Sequence, residues 1–194
     1  MRIVAGRYRG RRLAAPRGDT TRPTTDRVRE ATFSALASIA GADLGGGAAL
    51  DAFAGTGALG LEALSRGASG VTFVERDRDA LRVLRENVAT LGAEADTSVI
   101  CGDVLSFASR GRLPRAPFSL LLLDPPYRLA VAETRRLLEA LAARDLLEEG
   151  ALAMWEQAAG TDATWPEEFA PVVQKRYGTT EIQIAVFRGE TRSS

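Results

Sequence analysis

The stretch LLLLDPPYR, residues 120–128, sets four leucines directly before an acid, two prolines, an aromatic ring and an arginine. The leucines are too few to span a membrane and read as a strand covered on both faces, ending at Leu123. A carboxylate emerging from such an apolar layer is costly without a partner, so Asp124 is expected to hold a ligand. One chemistry suits it. An exocyclic amine on a nucleobase is a weak nucleophile because its lone pair is delocalised into the ring. Accepting hydrogen bonds from both of its N–H groups makes the nitrogen more nucleophilic and aims its lone pair at a methyl donor. Asp124 supplies one acceptor and the carbonyl of Pro125 the other. Pro125 and Pro126 stiffen the turn, and Tyr127 offers a ring on which a target base can stack.

A second constellation lies upstream, in DAFAGTGALG. Asp51, Gly55, Gly57 and Gly60 follow a predicted strand and open a predicted helix, where glycines permit a tight turn and unpaired helix N–H groups face a ligand. Glu75 ends the next strand, 20 residues after Gly55, a spacing suited to an acid on a ribose. A dinucleotide site is one reading of this pattern. Against it, the chain has no histidine and no Tyr-x-x-x-Lys pair to relay a proton. Asp51 is also unhelpful beside a pyrophosphate but suits the cationic amino group of S-adenosylmethionine. Asp103, in CGDV, can accept from an adenine amine. Acids at three strand ends thus favour a cationic cofactor without phosphates, the competing reading being ordinary strand-end caps.

Composition narrows the chemistry further. The chain has 194 residues, no histidine and one cysteine, Cys101. This excludes an intrachain disulfide, histidine-based nucleophile pairs and a zinc site of the usual Cys/His type, so no metal is expected. Cys101 reads as a small core residue at the buried end of a strand. Formal charge is zero overall, yet residues 1–30 carry nine arginines against Asp19, Asp26 and Glu30, a net of +6. A basic arm on an acidic body points to a nucleic-acid partner. No apolar run approaches the roughly 18 residues of a span, and the N-terminus lacks the apolar core of a signal peptide, so a cytoplasmic protein without membrane partners is expected.

The elements that position these residues read clearly. RIVAG and RRLAAP flank RYRG as a basic hairpin with bends at Gly6 and Gly10, assigned to an arm of residues 1–22. Residues 23–190 form the remaining domain, starting with a helix capped at Thr25 or Asp26 and striped by Val28, Thr32, Ala35 and Ile39. Strands AALDAF, GVTFVE, DTSVIC, FSLLLLD and ALAMWE then alternate with helices ALGLEALSRG, 77–91 and AVAETRRLLEALAAR. A basic loop with Arg110, Arg112 and Arg115 precedes the fourth strand. Trp155 and Glu156 end the fifth near the expected crevice, with the tryptophan expected to pack in the core. VVQKRYGTTEIQIAVF reads as an antiparallel hairpin turning near Gly178. The expected fold is α/β and Rossmann-like: a mostly parallel sheet, helices on both faces, and a ligand crevice at the strands' carboxyl ends.

With these motifs in order, the sequence resembles the class I S-adenosylmethionine-dependent methyltransferases that carry the amine-methylating (D/N)PPY motif. More narrowly it resembles the bacterial family that methylates N2 of one guanine in 16S ribosomal RNA, on the segments RIVAGRYRGRRL, TRPTTDRVREATF, LDAFAGTGALGLEALSRGA, FVERD and LLLLDPPY. The resemblance implies Asp124 to Tyr127 as the catalytic motif. It implies Asp51, Gly55, Gly57, Glu75 and Asp103 as contacts to S-adenosyl-L-methionine, with Phe53, Thr56, Arg76 and Val104 beside them. It further implies a leader around Arg22, Thr24, Thr25 and Arg29 that closes over the cofactor and the base. Arg7, Arg9, Arg11, Arg12 and Arg128 are the remaining expected RNA contacts. The implied partner is 16S rRNA within the small ribosomal subunit, and a monomer suits so large a substrate. Adenine-N6 or cytosine-N4 methylation, and a non-catalytic RNA-binding assembly factor, are the alternatives.

Overall fold

The computed structural model describes residues 1–15, 26–41, 44, 46–126, 131–161 and 164–189. Seven strands form one sheet in the order β3-β2-β1-β4-β5-β7-β6. The strands are β1 Ala48–Asp51, β2 Gly70–Glu75, β3 Thr97–Cys101, β4 Phe118–Leu123, β5 Leu147–Ala158, β6 Phe169–Tyr177 and β7 Thr180–Phe187. The first five are parallel, and β7 runs antiparallel to both β5 and β6. The helices are α1 Asp26–Ala40, α2 Ala58–Ser65, α3 Arg78–Leu91, α4 Val104–Ser109 and α5 Val131–Ala143.

The central strands commit their side chains to two apolar layers, one on each face of the sheet. On β4, Leu120 and Leu122 pack with α1, α2 and α3, while Leu121 and Leu123 pack with α4 and α5. This is why the leucine run is continuous: a central parallel strand has no solvent face. The chain moves outward from β1 through β2 to β3, then returns to place β4 on the other side of β1. The crossovers therefore diverge between β1 and β4, leaving a crevice beyond their carboxyl ends.

Three elements differ from the expectation. β5 begins at Leu147, four residues early, because its pairing with β4 shifts register around an exposed stretch ending at Gly150. The expected basic loop after β3 contains α4, whose N-terminus Asp103 caps by accepting from Ser106 N at 2.8 Å. Cys101 is exposed, since β3 is an edge strand with only intermediate burial.

The basic arm is a hairpin, with a bridge between Arg2 and Arg12, and it is packed onto the body. Ile3 and Leu13 are buried in the same layer as α1, α2 and α3. Gly6 brings the arm against the end of α2, where a Cβ at its position would lie 1.8 Å from the Ser65 carbonyl oxygen, so only glycine fits. The adjacent N–H groups use this approach, with Arg7 N donating to Ser65 O at 2.8 Å and Tyr8 N to Ser65 Oγ at 2.9 Å.

Glu62, the one acid in α2 and fully buried, ties the arm, α1 and α2 together. It accepts from Val4 N at 2.8 Å, Ala5 N at 3.1 Å and Arg66 Nε at 2.7 Å, and Arg29 Nε lies 3.7 Å away. Arg29 was expected to face RNA or cofactor. It is instead 1 % exposed, paired with Glu62 and donating to the carbonyl of Arg2. Removing one member of a buried ionic cluster strands the others. Glu62→Ala is therefore expected to destabilise the fold by about 3–5 kcal/mol in urea denaturation and to expose the arm to protease.

Candidate active site

β1 delivers Asp51 to the crevice floor, and the chain then turns sharply: Ala52 N donates to Leu122 O on β4, and Ala54 N to Val74 O on β2. The turn is thereby stitched to both neighbouring strands. Asp51 is 1 % exposed, and its Oδ2 accepts from Gly60 N at 2.9 Å. Its Oδ1 is buried without a hydrogen-bond partner. Desolvation raises the Asp51 pKa from 3.8 to about 7, the Gly60 N–H opposes this and the charge of Glu75 adds to it. A buried acceptor lacking a donor fits a cationic amino group, which would supply both the missing hydrogen bond and the compensating charge.

Glu75, at the end of β2, closes the other side of the turn. Its Oε2 accepts from Gly55 N at 2.7 Å, and its Oε1 from Arg76 N and Asp77 N, each at 2.8 Å. Oε1 has both of its acceptor sites filled, and Oε2 retains one for a hydroxyl donor. The space beside Gly55 is open: a Cβ there would meet nothing within 4 Å, leaving backbone accessible to a ligand. The N-cap of α2 is Gly57, which has no side chain to offer, and Asp51 takes the Gly60 N–H, so the N–H groups of Ala58 and Leu59 remain for an anionic group such as an amino-acid carboxylate. Asp51, Glu75 and this turn together fit an adenosyl amino acid. Asp103 engages one oxygen as the α4 cap, so as an adenine contact it would use the other.

Beyond β4, Asp124 and Pro126 are exposed and Pro125 is half-buried at the crevice. Surrounding protein, then the charges of Glu156 and Asp51, raise the Asp124 pKa well above the carboxylate range. Water reaches the Asp124 side chain, which tempers the first of these causes. Glu156, two residues before the end of β5, is 6 % exposed. Trp155 is buried beside the sheet, edge-on to Trp165 at 5.4 Å, in the packing role expected. Tyr127, Arg128, Arg22, Thr24 and Thr25 lie outside the described residues.

Of the arm's arginines, Arg7 pairs with Asp96 at 2.7 Å and Arg11 donates to the carbonyl of Thr90. Both are spent partly on the body, while Arg9 and Arg12 are exposed. Sequence reasoning missed Asn87, buried on α3. Its Oδ1 accepts from Ala14 N at 2.7 Å, and its Nδ2 donates to Ala14 O at 3.2 Å and to Thr56 O at 2.9 Å. One carboxamide thus fastens the end of the arm to the glycine turn. An amide on an otherwise apolar helix face was the available signal.

This sheet order, with acids at the carboxyl ends of β1, β2 and β4, defines a Rossmann-like methyltransferase of class I. The chain belongs to the family described as Conserved hypothetical protein 95, whose model matches residues 1–186. It is 44 % identical over 141 residues to ribosomal RNA small subunit methyltransferase D of Escherichia coli K12, covering 72 % of this chain and 67 % of that protein. The Haemophilus influenzae protein of the same name is 32 % identical over 185 residues, covering 95 % of this chain and 92 % of that one. The solved structure of Escherichia coli yhhF superposes with a TM-score of 0.80 at 34 % identity, over 98 % of this chain and 99 % of that chain.

The buried Asp51 makes a direct prediction. The native state holds the Asp51 proton up to about pH 7 whereas the unfolded chain releases it near 3.8, so stability falls as pH rises between these values. Asp51→Asn removes that cost, which is roughly 4 kcal/mol at most. The variant without ligand is expected to be more stable than wild type at pH 8, with the gain shrinking toward pH 4, as read by urea denaturation.

Proposed function

We propose that the protein transfers a methyl group from S-adenosyl-L-methionine to the exocyclic N2 amine of one guanine in 16S rRNA, within the assembled small subunit. The observation that carries this is the adjacency of two differently specialised acids. Asp51, with its donorless buried oxygen, is suited to the cofactor's ammonium. Asp124, two positions beyond the β4 residue that pairs with Asp51, opens to the crevice and is suited to the amine. The names of the relatives above support the rRNA substrate.

The cofactor, when bound, supplies an electrophilic methyl on a sulfonium. The chain supplies alignment and charge. Asp124 and the Pro125 carbonyl accept from the two amine N–H groups, fixing the direction of the lone pair. As the nitrogen gains its methyl group it becomes cationic and must lose a proton, which the Asp124 carboxylate can take because its pKa is raised. Glu75 is placed for a ribose hydroxyl, and the first turn of α2 for the methionine carboxylate. Tyr127 would stack on the base. No reactive side chain beyond these acceptors is required.

The basic arm holds the RNA backbone in this reading, with Arg9 and Arg12 among its exposed cations. Each phosphate contact contributes about 0.7–0.9 to the log-log salt slope of binding. Arg9→Ala with Arg12→Ala should therefore weaken small-subunit binding and flatten that slope by about 1.4–1.8, measured by filter binding across a salt series.

The decisive test incubates small subunits from cells lacking this protein with labelled S-adenosylmethionine and identifies the modified nucleoside by mass spectrometry. N2-methylguanosine in 16S rRNA is the expected product. Asp124→Ala should lower turnover by about 10²–10³-fold with subunit binding retained. Methylated adenine or cytosine would replace the base assignment. Subunit binding without any transfer would favour an assembly factor.

A further inference from the structure

The register between β4 and β5 places a second carboxylate beside the first. Leu122 pairs with Met154 and Leu123 with Trp155, so the next positions on these parallel strands are Asp124 and Glu156. Side chains alternate along a strand, and neighbouring strands lie about 4.8 Å apart. Leu120 and Leu122 share one apolar layer with Leu152 and Met154. Asp124 and Glu156 continue those two rows, and therefore emerge on the same side of the sheet. Asp51 continues the row of Ala49 on β1 and stands on that side too. The charge of Glu156 acts on Asp124 more strongly than that of Asp51 does.

A carboxylate next to the amine-binding acid is not neutral toward the choice of base. In guanine the N2 amine is flanked by N1–H, so two adjacent ring-edge groups are donors. In adenine the N6 amine is flanked by N1, and in cytosine the N4 amine is flanked by N3; both are bare acceptors. Two side-by-side carboxylates match the donor-donor edge of guanine and set a negative charge against a lone pair in the other two. We propose that Glu156 is the specificity-determining residue of this site, accepting a hydrogen bond from guanine N1–H while Asp124 accepts from the N2 amine. This rests on the guanine-N2 reading above and gives its physical cause. A carboxylate has about four acceptor sites, so Glu156 can take N1–H alongside the interaction it already makes within the protein. Selectivity then comes from repulsion of the wrong bases as well as attraction of the right one.

The test uses 2-aminopurine, which keeps the C2 amine of guanine but has an unprotonated N1. Small subunits are reconstituted on 16S rRNA joined by splinted ligation, with guanine or 2-aminopurine at the position that the wild-type protein methylates. Wild type is expected to favour guanine by about 10- to 100-fold in kcat/KM, the range for one base-edge hydrogen bond replaced by a repulsive pair. Glu156→Gln, whose carboxamide can donate to N1, is expected to bring the two substrates within about fivefold. A purely structural Glu156 would lower both rates together and leave their ratio unchanged, which overturns the inference. A wild type that uses both bases equally also overturns it, with no variant needed. If wild type forms no N2-methylguanosine at all, the guanine-N2 reading falls first, and that outcome is distinct from either of the others.

Discussion

The burial of carboxylates at the crevice, with like charges for neighbours, is the constraint around which this molecule is arranged. Desolvation is the largest cause of the raised pKa of both Asp51 and Asp124; the charge of Glu75 adds to the first, and those of Glu156 and Asp51 to the second. The topology forces this crowding. Because the crossovers diverge between β1 and β4, both strand ends open into one crevice, and the in-register β5 adds Glu156 to it. A positive charge with an N–H donor beside Asp51 supplies what its unpartnered oxygen lacks.

The rest of the fold holds that unfavourable arrangement in place. Two dry layers clamp the sheet, and the glycine turn is tied to its neighbours by Ala52, Ala54 and Gly55 N–H groups. The arm is part of this support. Glu62 anchors its first strand to α2 and Asn87 anchors its second to the glycine turn, so the chain leaves Ala15 beside the crevice. A segment expected to cover cofactor and base thus follows a point fixed beside the glycine turn. This explains why a basic arm carries buried Ile3 and Leu13, and why two of its arginines are committed to the body.

Where burial follows from strict alternation and local punctuation, the sequence was legible. GVTFVE is β2 to the residue, α3 buries Leu81, Leu84, Val88 and Leu91, and Gly178 turns the last hairpin. The acids at the strand ends could be named because strand ends could be named. What escaped depended on lateral position in the sheet or on contacts far apart in sequence. Cys101 looked buried from its own strand, but only the strand order makes β3 an edge. Arg29 sat in a basic leader, and its burial depends on Glu62, 33 positions away. Glu156 could be placed near the crevice, yet its pairing with Asp124 is a matter of register that no periodicity encodes.

The claim at the centre of this account is that the crevice acids, and Asp51 first among them, await a cationic adenosyl amino acid. Calorimetric titration of S-adenosylhomocysteine near pH 7, in buffers of different ionisation enthalpy, tests it most directly by counting protons. Wild type should release up to about half a proton per ligand as the ammonium draws Asp51 into its ionised form, and Asp51→Asn should release none. Binding without proton release in the wild type, or equal release in the variant, would contradict it.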